Sequence, residues 1–249
     1  LAAVINADIP PDAEVHIHRV GRTGRAGEQG LALSLASLDD MGAVGRIELL
    51  QAQGYSALAL HGDLEQRDRD QVLVRFANGS CSVLVATDVA ARGLDIAGLA
   101  AVINVDVTPD AEVHVHRIGR TGRAGETGLA LSLASLDEMG AVGRIEQLQG
   151  RESTWHALAE LTPAEGGRLL PPMATVHIQA GRKDKIRPGD VLGALTADLG
   201  YAREQVGKID INEFSTYVAV ERGVAGEAVA RLNQGRIKGR SVKARLLKD

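Results

Sequence analysis

Short apolar runs of strand length alternate with amphipathic stretches of helix length through much of the chain. "SALALHG" (56–62), "SVLVATDV" (82–89), "LAAVINVDV" (99–107) and "GLALSLAS" (128–135) hold few polar positions. Such runs suit strands buried on both faces. Between them, "EQRDRDQVLVRFANG" (65–79), "PDAEVHVHRIGRT" (109–121) and "LDEMGAVGRIEQLQ" (136–149) read as helices. The second opens with proline and acidic residues, as helix starts do. The alternation predicts an α/β domain, a parallel sheet with helices on both faces.

From 151 to 173 the pattern breaks. "LTPAEGGRLLPPM" carries three of the chain's seven prolines and reads as a linker. Beyond it the order is strand "ATVHIQAG", helix "RPGDVLGALTADLG", strands "GKIDI" and "STYVAVE", helix "GEAVARLNQG" and strand "SVKARLL". This βαββαβ order is the split ferredoxin-like layout, an α+β arrangement used by RNA-recognition modules.

An internal repeat complicates the first part. Residues 1–51 match 99–149, and eight of 51 positions differ, all mildly. Two copies do not make a solenoid, so the identity points to a recent duplication or an assembly artefact. The organisation expected is therefore a duplicated surplus segment at 1–29, a lobe at 30–150, a linker at 151–173 and a small domain at 174–249. The strand and helix that end copy one, "GLALSLAS" (30–37) and "LDDMGAVGRIELLQAQG" (38–54), are expected to fill a first strand slot and a first helix slot in the sheet.

Charge sharpens the division. Residues 174–249 hold fourteen Lys/Arg against nine Asp/Glu, whereas residues 1–173 carry −9 of the net −4. All six lysines lie in the C-terminal part, which suggests a polyanion partner there. Cys81 is the only cysteine, which excludes internal disulfides and a cysteine-rich zinc site and fits a reducing compartment. No apolar run reaches membrane-span length and no leader pattern opens the chain, so the expectation is a soluble cytoplasmic protein. The chain starts at Leu1 inside a strand-like run, and its true N-terminus is expected to lie upstream.

The chemistry concentrates in three stretches: "HGDLEQRDRD" (61–70), "ATDVAARGLDI" (86–96) and "HRIGRTGR" (116–123). Arg120 and Arg123 stand three apart, a spacing that places both on one helical face within reach of one phosphate. Guanidinium is a permanently charged, planar fork, well matched to a phosphoryl group whose negative charge redistributes during transfer. Gly119 and Gly122 allow close backbone approach. Without further context, such a loop is more often a solvated face or a salt-bridge hub. His114 and His116 hint at metal, but two residues apart on a helix they point in different directions, and no metal site is expected.

Taken in order, the three stretches resemble the second RecA-like lobe of DEAD-box RNA helicases, and 174–249 resembles the RNA-binding domain of the bacterial DbpA group. The resemblance implies an ATP-dependent RNA helicase acting on structured large-subunit ribosomal RNA during ribosome assembly. It assigns Arg120 and Arg123 as the catalytic arginine fingers and places Asp95 with them on the nucleotide side. Gln66, Arg69, Thr87 and Gly93 fall on the RNA side. In the small domain the RNA-binding candidates are Arg182, Lys183, Lys185, Arg187, Lys208, Lys238, Arg240, Lys243 and Arg245, with Tyr217 the one strong stacking candidate.

Residues 1–173 contain no lysine, hence no lysine-bearing phosphate loop, and no Asp-Glu-Ala-Asp stretch to hold magnesium. ATP with Mg²⁺ is therefore expected to be bound mainly by a first lobe that this sequence lacks, leaving the chain inactive alone. The alternatives are a non-enzymatic RNA-binding fragment and a duplication that does not fold cooperatively over 1–150.

Overall fold

The computed structural model describes residues 32–36, 47, 50–52, 54–87, 99–122, 128–157 and 170–247. By compactness the chain divides into two units, residues 1–66 with 82–170 and residues 67–81 with 171–249.

The first unit is built on a five-stranded sheet: β1 (Ala32–Ala36), β2 (Ala57–Leu60), β3 (Val83–Thr87), β4 (Ala101–Asn104) and β5 (Leu129–Ser132). The order is β2-β3-β1-β4-β5 and every pairing is parallel. β3 and β4 are buried throughout, whereas edge strand β5 alternates between half-buried and exposed positions. The other edge strand, β2, is buried at all but Ala59, so edge position alone does not set exposure. The run expected to fill a first strand slot does so, because Ala32–Ala36 pairs with β3 on one side and β4 on the other. Helical residues Ile47 and Leu50 follow, and their side chains pack with Tyr55, Ala57, Val83 and Val85.

α1 (Gln66–Ala77) falls almost wholly in the second unit, whereas α2 (Ala111–Ile118) and α3 (Met139–Gln149) belong to the first. The α2 start is fixed by Asp110, whose Oδ1 accepts from the backbone N–H groups of Glu112 (2.9 Å) and Val113 (3.3 Å). Such a cap satisfies amides that have no partner within the helix. Behind α2, Val107, Ala141, Val142 and Ile145 form a small core joined by Ala111 and Ala134.

Before α3, Ser135 and Glu138 form a capping box. Glu138 accepts from the Ser135 N–H and hydroxyl, both at 2.7 Å, and from the Val107 N–H at 2.9 Å. Partial burial pushes its pKa upward, but these hydrogen bonds outweigh that and hold the carboxyl below its ordinary value.

The second unit carries an antiparallel sheet of β6 (Met173–Ile178), β7 (Val206–Ile211), β8 (Thr216–Glu221) and β9 (Ala244–Leu246), in the order β7-β8-β6-β9. α4 (Pro188–Gly193) runs on into a π-helical turn, Ala194–Asp198, and α5 (Ala225–Gln234) follows β8. Chain order and sheet order together give the expected split βαββαβ layout. One face of the sheet sends Val176, Ile178, Val218 and Val220 into a core with Val191, Leu195 and Leu232. On the other face Thr175, His177, Tyr217 and Ala219 are also buried. Residues 67–81 of the same unit reach β6 there: Asn78 donates to the Thr175 hydroxyl (2.9 Å), and the Met173 N–H donates to the Gly79 carbonyl (3.4 Å).

The loop from Gly181 to Arg187 ties this unit together. The Arg182 and Lys183 N–H groups donate to the carbonyls of Asn212 and Glu213, both at 2.9 Å. On its other flank Lys238 Nζ donates to the Lys185 carbonyl at 2.9 Å, and Arg240 pairs with Asp184. Gly181 is required by proximity: a Cβ there would stand 2.7 Å from both Glu213 O and Ser215 N, and closer still to Asn212 O.

Two outcomes follow from these contacts. Gly181→Ala must push backbone apart, so chemical denaturation should show a loss of about 1–3 kcal/mol. Glu138→Gln should cost about 1 kcal/mol at neutral pH. Because the folded carboxyl is more acidic than a free one, its contribution is complete above the ordinary glutamate pKa and fades as pH falls below it. The gap between wild type and Glu138→Gln, measured by denaturation, should accordingly close as the medium is acidified.

Candidate functional site

Helix α2 leads the chain to the first candidate site. Arg117 near its end is buried, with its guanidinium donating to the Asp106 carbonyl (3.1 Å) and lying 3.6 Å from the Asp106 carboxylate. A buried arginine needs this pairing, and the pair fixes the helix against the end of β4. The helix gives out at Gly119, whose N–H still bonds the Val115 carbonyl at 2.9 Å. Arg120 and Thr121 then come beside Leu99. The Leu99 N–H donates to the Arg120 carbonyl (3.3 Å), and the Thr121 hydroxyl donates to the Leu99 carbonyl. Half-buried Arg120 is thereby set at the N-terminal edge of β4.

Thr87 occupies the opposite edge. It ends β3 and is paired with Ala36, the last residue of β1, and its side chain is buried. The residue assigned to nucleotide and the residue assigned to RNA therefore stand at opposite ends of the same parallel strands. Gln66 is exposed at the first position of α1 and Arg69 is half-buried one turn on. Gly93, Asp95 and Arg123 lie outside the described residues.

The two histidines of α2 diverge, as their spacing predicts: His114 is buried and His116 exposed. Burial, with a smaller effect from the Arg117 guanidinium, lowers the His114 pKa. Among the described residues no group of three His, Cys, Asp or Glu side chains is disposed to hold a metal ion.

The second candidate site is electropositive and lies on loops of the second unit. Arg182, Lys183, Lys185 and Arg187 project from the β6–α4 loop, and Lys238 and Arg240 join them through their ties to Lys185, Asp190 and Asp184. All six side chains are exposed. Lys185 and Lys238 each adopt positive φ (62° and 53°), a conformation uncommon outside glycine and aspartate-type residues, and the carbonyl–ammonium bond between them joins the two turns. Asp190 accepts from the Arg187 N–H (2.9 Å), and that bond, reinforced by Lys238, holds its carboxyl below the ordinary range.

The other basic candidates are not part of this cluster. Lys208 lies on edge strand β7, beside Asp210 at 3.4 Å, while Lys243 and Arg245 lie at the opposite edge with β9. Tyr217, expected to offer a stacking face, is only 4% exposed, with its ring centroid 5.0 Å from that of His177. His177 accepts from Arg245 Nε at 3.4 Å, and burial, then the Arg245 and Arg67 charges, lower its pKa. The sheet face on which sequence reasoning placed base stacking is covered in this structure. Sequence reasoning passed over Phe214, which is 69% exposed in the β7–β8 turn. The available signal was a lone aromatic in a polar turn, "NEFS", between two strands.

Comparison with known proteins identifies the domains that carry these residues. Residues 36–125 match the helicase conserved C-terminal domain, and residues 175–246 match the DbpA RNA binding domain. The chain is 51% identical over 203 residues to the ATP-dependent RNA helicase DbpA of Escherichia coli K12, covering 81% of this chain and 44% of that protein. It is 50% identical over 105 residues to the DEAD-box ATP-dependent RNA helicase CshA of Geobacillus kaustophilus, covering 42% of this chain and 22% of that one. Among solved structures, E. coli DEAD-box protein SrmB, bound to regulator of ribonuclease activity A, aligns at 30% identity and a TM-score of 0.49, over 55% of this chain and 81% of that one. The chain spans less than half the length of these curated relatives. With a helicase C-terminal domain followed by a DbpA RNA binding domain, it belongs to the DEAD-box RNA helicases, as a C-terminal part of the DbpA type.

Proposed function

We propose that the chain supplies the second RecA-like lobe and the RNA-binding module of an ATP-dependent helicase that remodels structured RNA. The target is large-subunit ribosomal RNA and the setting is ribosome assembly in the cytoplasm. In this reading 30–150 is the lobe, 151–173 the linker and 174–249 the module, with 1–29 surplus.

The observation that carries the reading is the placement of Arg120 beside Leu99. The arginine motif is bonded to Leu99, and in the sequence it follows the stretch that holds Asp95. Arg120, with Arg123 by motif position, would stabilise negative charge shifting across a transferring phosphoryl group. Gln66, Arg69, Thr87 and Gly93 would contact RNA. ATP supplies the phosphoryl chemistry when bound. Arginine fits its phosphates, whereas no described cluster of carboxylates fits magnesium, so the metal is assigned to a partner lobe. The lysine-free stretch 1–173 likewise lacks the phosphate-cradling lysine, which supports dependence on that lobe for activity. The strong division of charge favours a second reading, a non-enzymatic RNA-binding fragment.

The two readings separate in a reconstitution. A first RecA-like lobe produced separately is mixed with this chain, and RNA-stimulated ATP hydrolysis is measured. Arg120→Ala should lower the rate by about 10³-fold or more, and Arg22→Ala, in the first copy of the motif, should leave it within about twofold. Equal losses would overturn the assignment of the working copy. No stimulated hydrolysis with any variant would favour the non-enzymatic fragment.

A further inference from the structure

Stacking on a nucleic-acid base needs an aromatic ring with a face open to solvent. The second unit holds four Phe or Tyr rings, and three are unavailable: Phe76 and Tyr217 are buried, and Tyr201 is buried with Arg231 placed 5.3 Å from its centroid. Phe214 is the exception. We propose that Phe214 is the stacking platform for an unpaired RNA base, set at the margin of the cation cluster on the 181–187 loop. The proposal rests on reading this domain as RNA-binding and adds which chemical feature of the RNA it selects.

The turn that carries Phe214 is held firmly. The Asn212 N–H donates to the Ser215 carbonyl at 2.8 Å, closing the turn, and the Asn212 and Glu213 carbonyls are both taken by the 181–187 loop. Lys183 reaches across from that loop: its Nζ lies 3.0 Å from Glu213 Oε1 and 5.9 Å from the Phe214 ring centroid. One ring face thus has a cation near it, and a base on the other would complete a sandwich in which each contact polarises the next.

The neighbouring charge favours RNA as the occupant. Three of the six cations are matched by Glu213, Asp184 and Asp190. Arg182, Lys185 and Arg187 form no ion pair among the described residues and are exposed. An unpaired base on Phe214 would bring its own phosphates to this surplus, whereas bases inside a duplex already stack on both faces. A loop or bulge of a structured RNA satisfies both demands.

The test uses the full chain and two labelled RNAs with equal numbers of phosphates, a hairpin with an unpaired loop and a blunt duplex. Affinity is followed by fluorescence anisotropy across a salt series. Phe214→Ala should weaken hairpin binding about tenfold with an unchanged salt slope, and leave duplex binding unchanged. Phe214→Tyr, which keeps the ring, should bind the hairpin like wild type. Thermal unfolding of both variants should match wild type, because the ring is exposed. Hairpin binding by Phe214→Ala equal to wild type, as expected if the ring serves a protein partner, would overturn the proposal and spare the RNA-binding reading. Equal weakening on hairpin and duplex would overturn it as well. Failure of the wild-type chain to bind either RNA would defeat both readings together.

Discussion

The sheet of the first unit depends on a single strand. β1 bonds to β3 on one side and β4 on the other, so without it the other four strands would separate into two pairs, each with an unpaired inner edge. Unpaired backbone in a buried sheet is costly, which makes filling that slot a condition for the whole lobe. The sequence that fills it comes from the first copy of the repeat. Its counterpart in the second copy supplies β5, at the edge of the same sheet. One short run of leucine, alanine and serine serves both positions.

Setting the central strand has a consequence for the arginine motif. β4 takes its register from β1, and Leu99, just ahead of β4, holds the Arg120 carbonyl and the Thr121 hydroxyl. The buried Arg117–Asp106 pair and the Asp110 cap fix the helix that leads there. A guanidinium useful in phosphoryl transfer must be positioned beforehand, since reorganisation during the reaction would consume its advantage. In the lobe the Leu99 N–H donates to the Arg120 carbonyl, which ties the backbone of the motif to the strand.

In the second unit the same role falls to a loop. Residues 181–187 receive the β7–β8 turn on one flank through main-chain bonds, and the turn at 237–240 on the other through the Lys238 and Arg240 side chains. The antiparallel sheet beneath has both faces buried, and the charged surface has moved to its end. Recognition by loops at the end of a sheet favours the shape and phosphate geometry of a folded RNA over an extended strand laid across the strands.

Much of this was legible in the residues themselves. Periodicity of apolar positions determined the elements of both units and their class, since strand and helix runs in fixed order admit few topologies. Motif spacing singled out Arg120, and the uneven distribution of lysine singled out the C-terminal unit. Three matters were settled only by tertiary structure. Which copy of "GLALSLAS" takes the centre of the sheet depends on pairing with β3 and β4, and the two copies are identical in that run. Tyr217 reads as an available ring but is covered, because period-two alternation says which face a side chain takes and not what lies against that face. Phe214 belongs to no periodic pattern: its turn is closed locally by the Asn212–Ser215 bond and held in place by bonds from Arg182 and Lys183, distant in the chain.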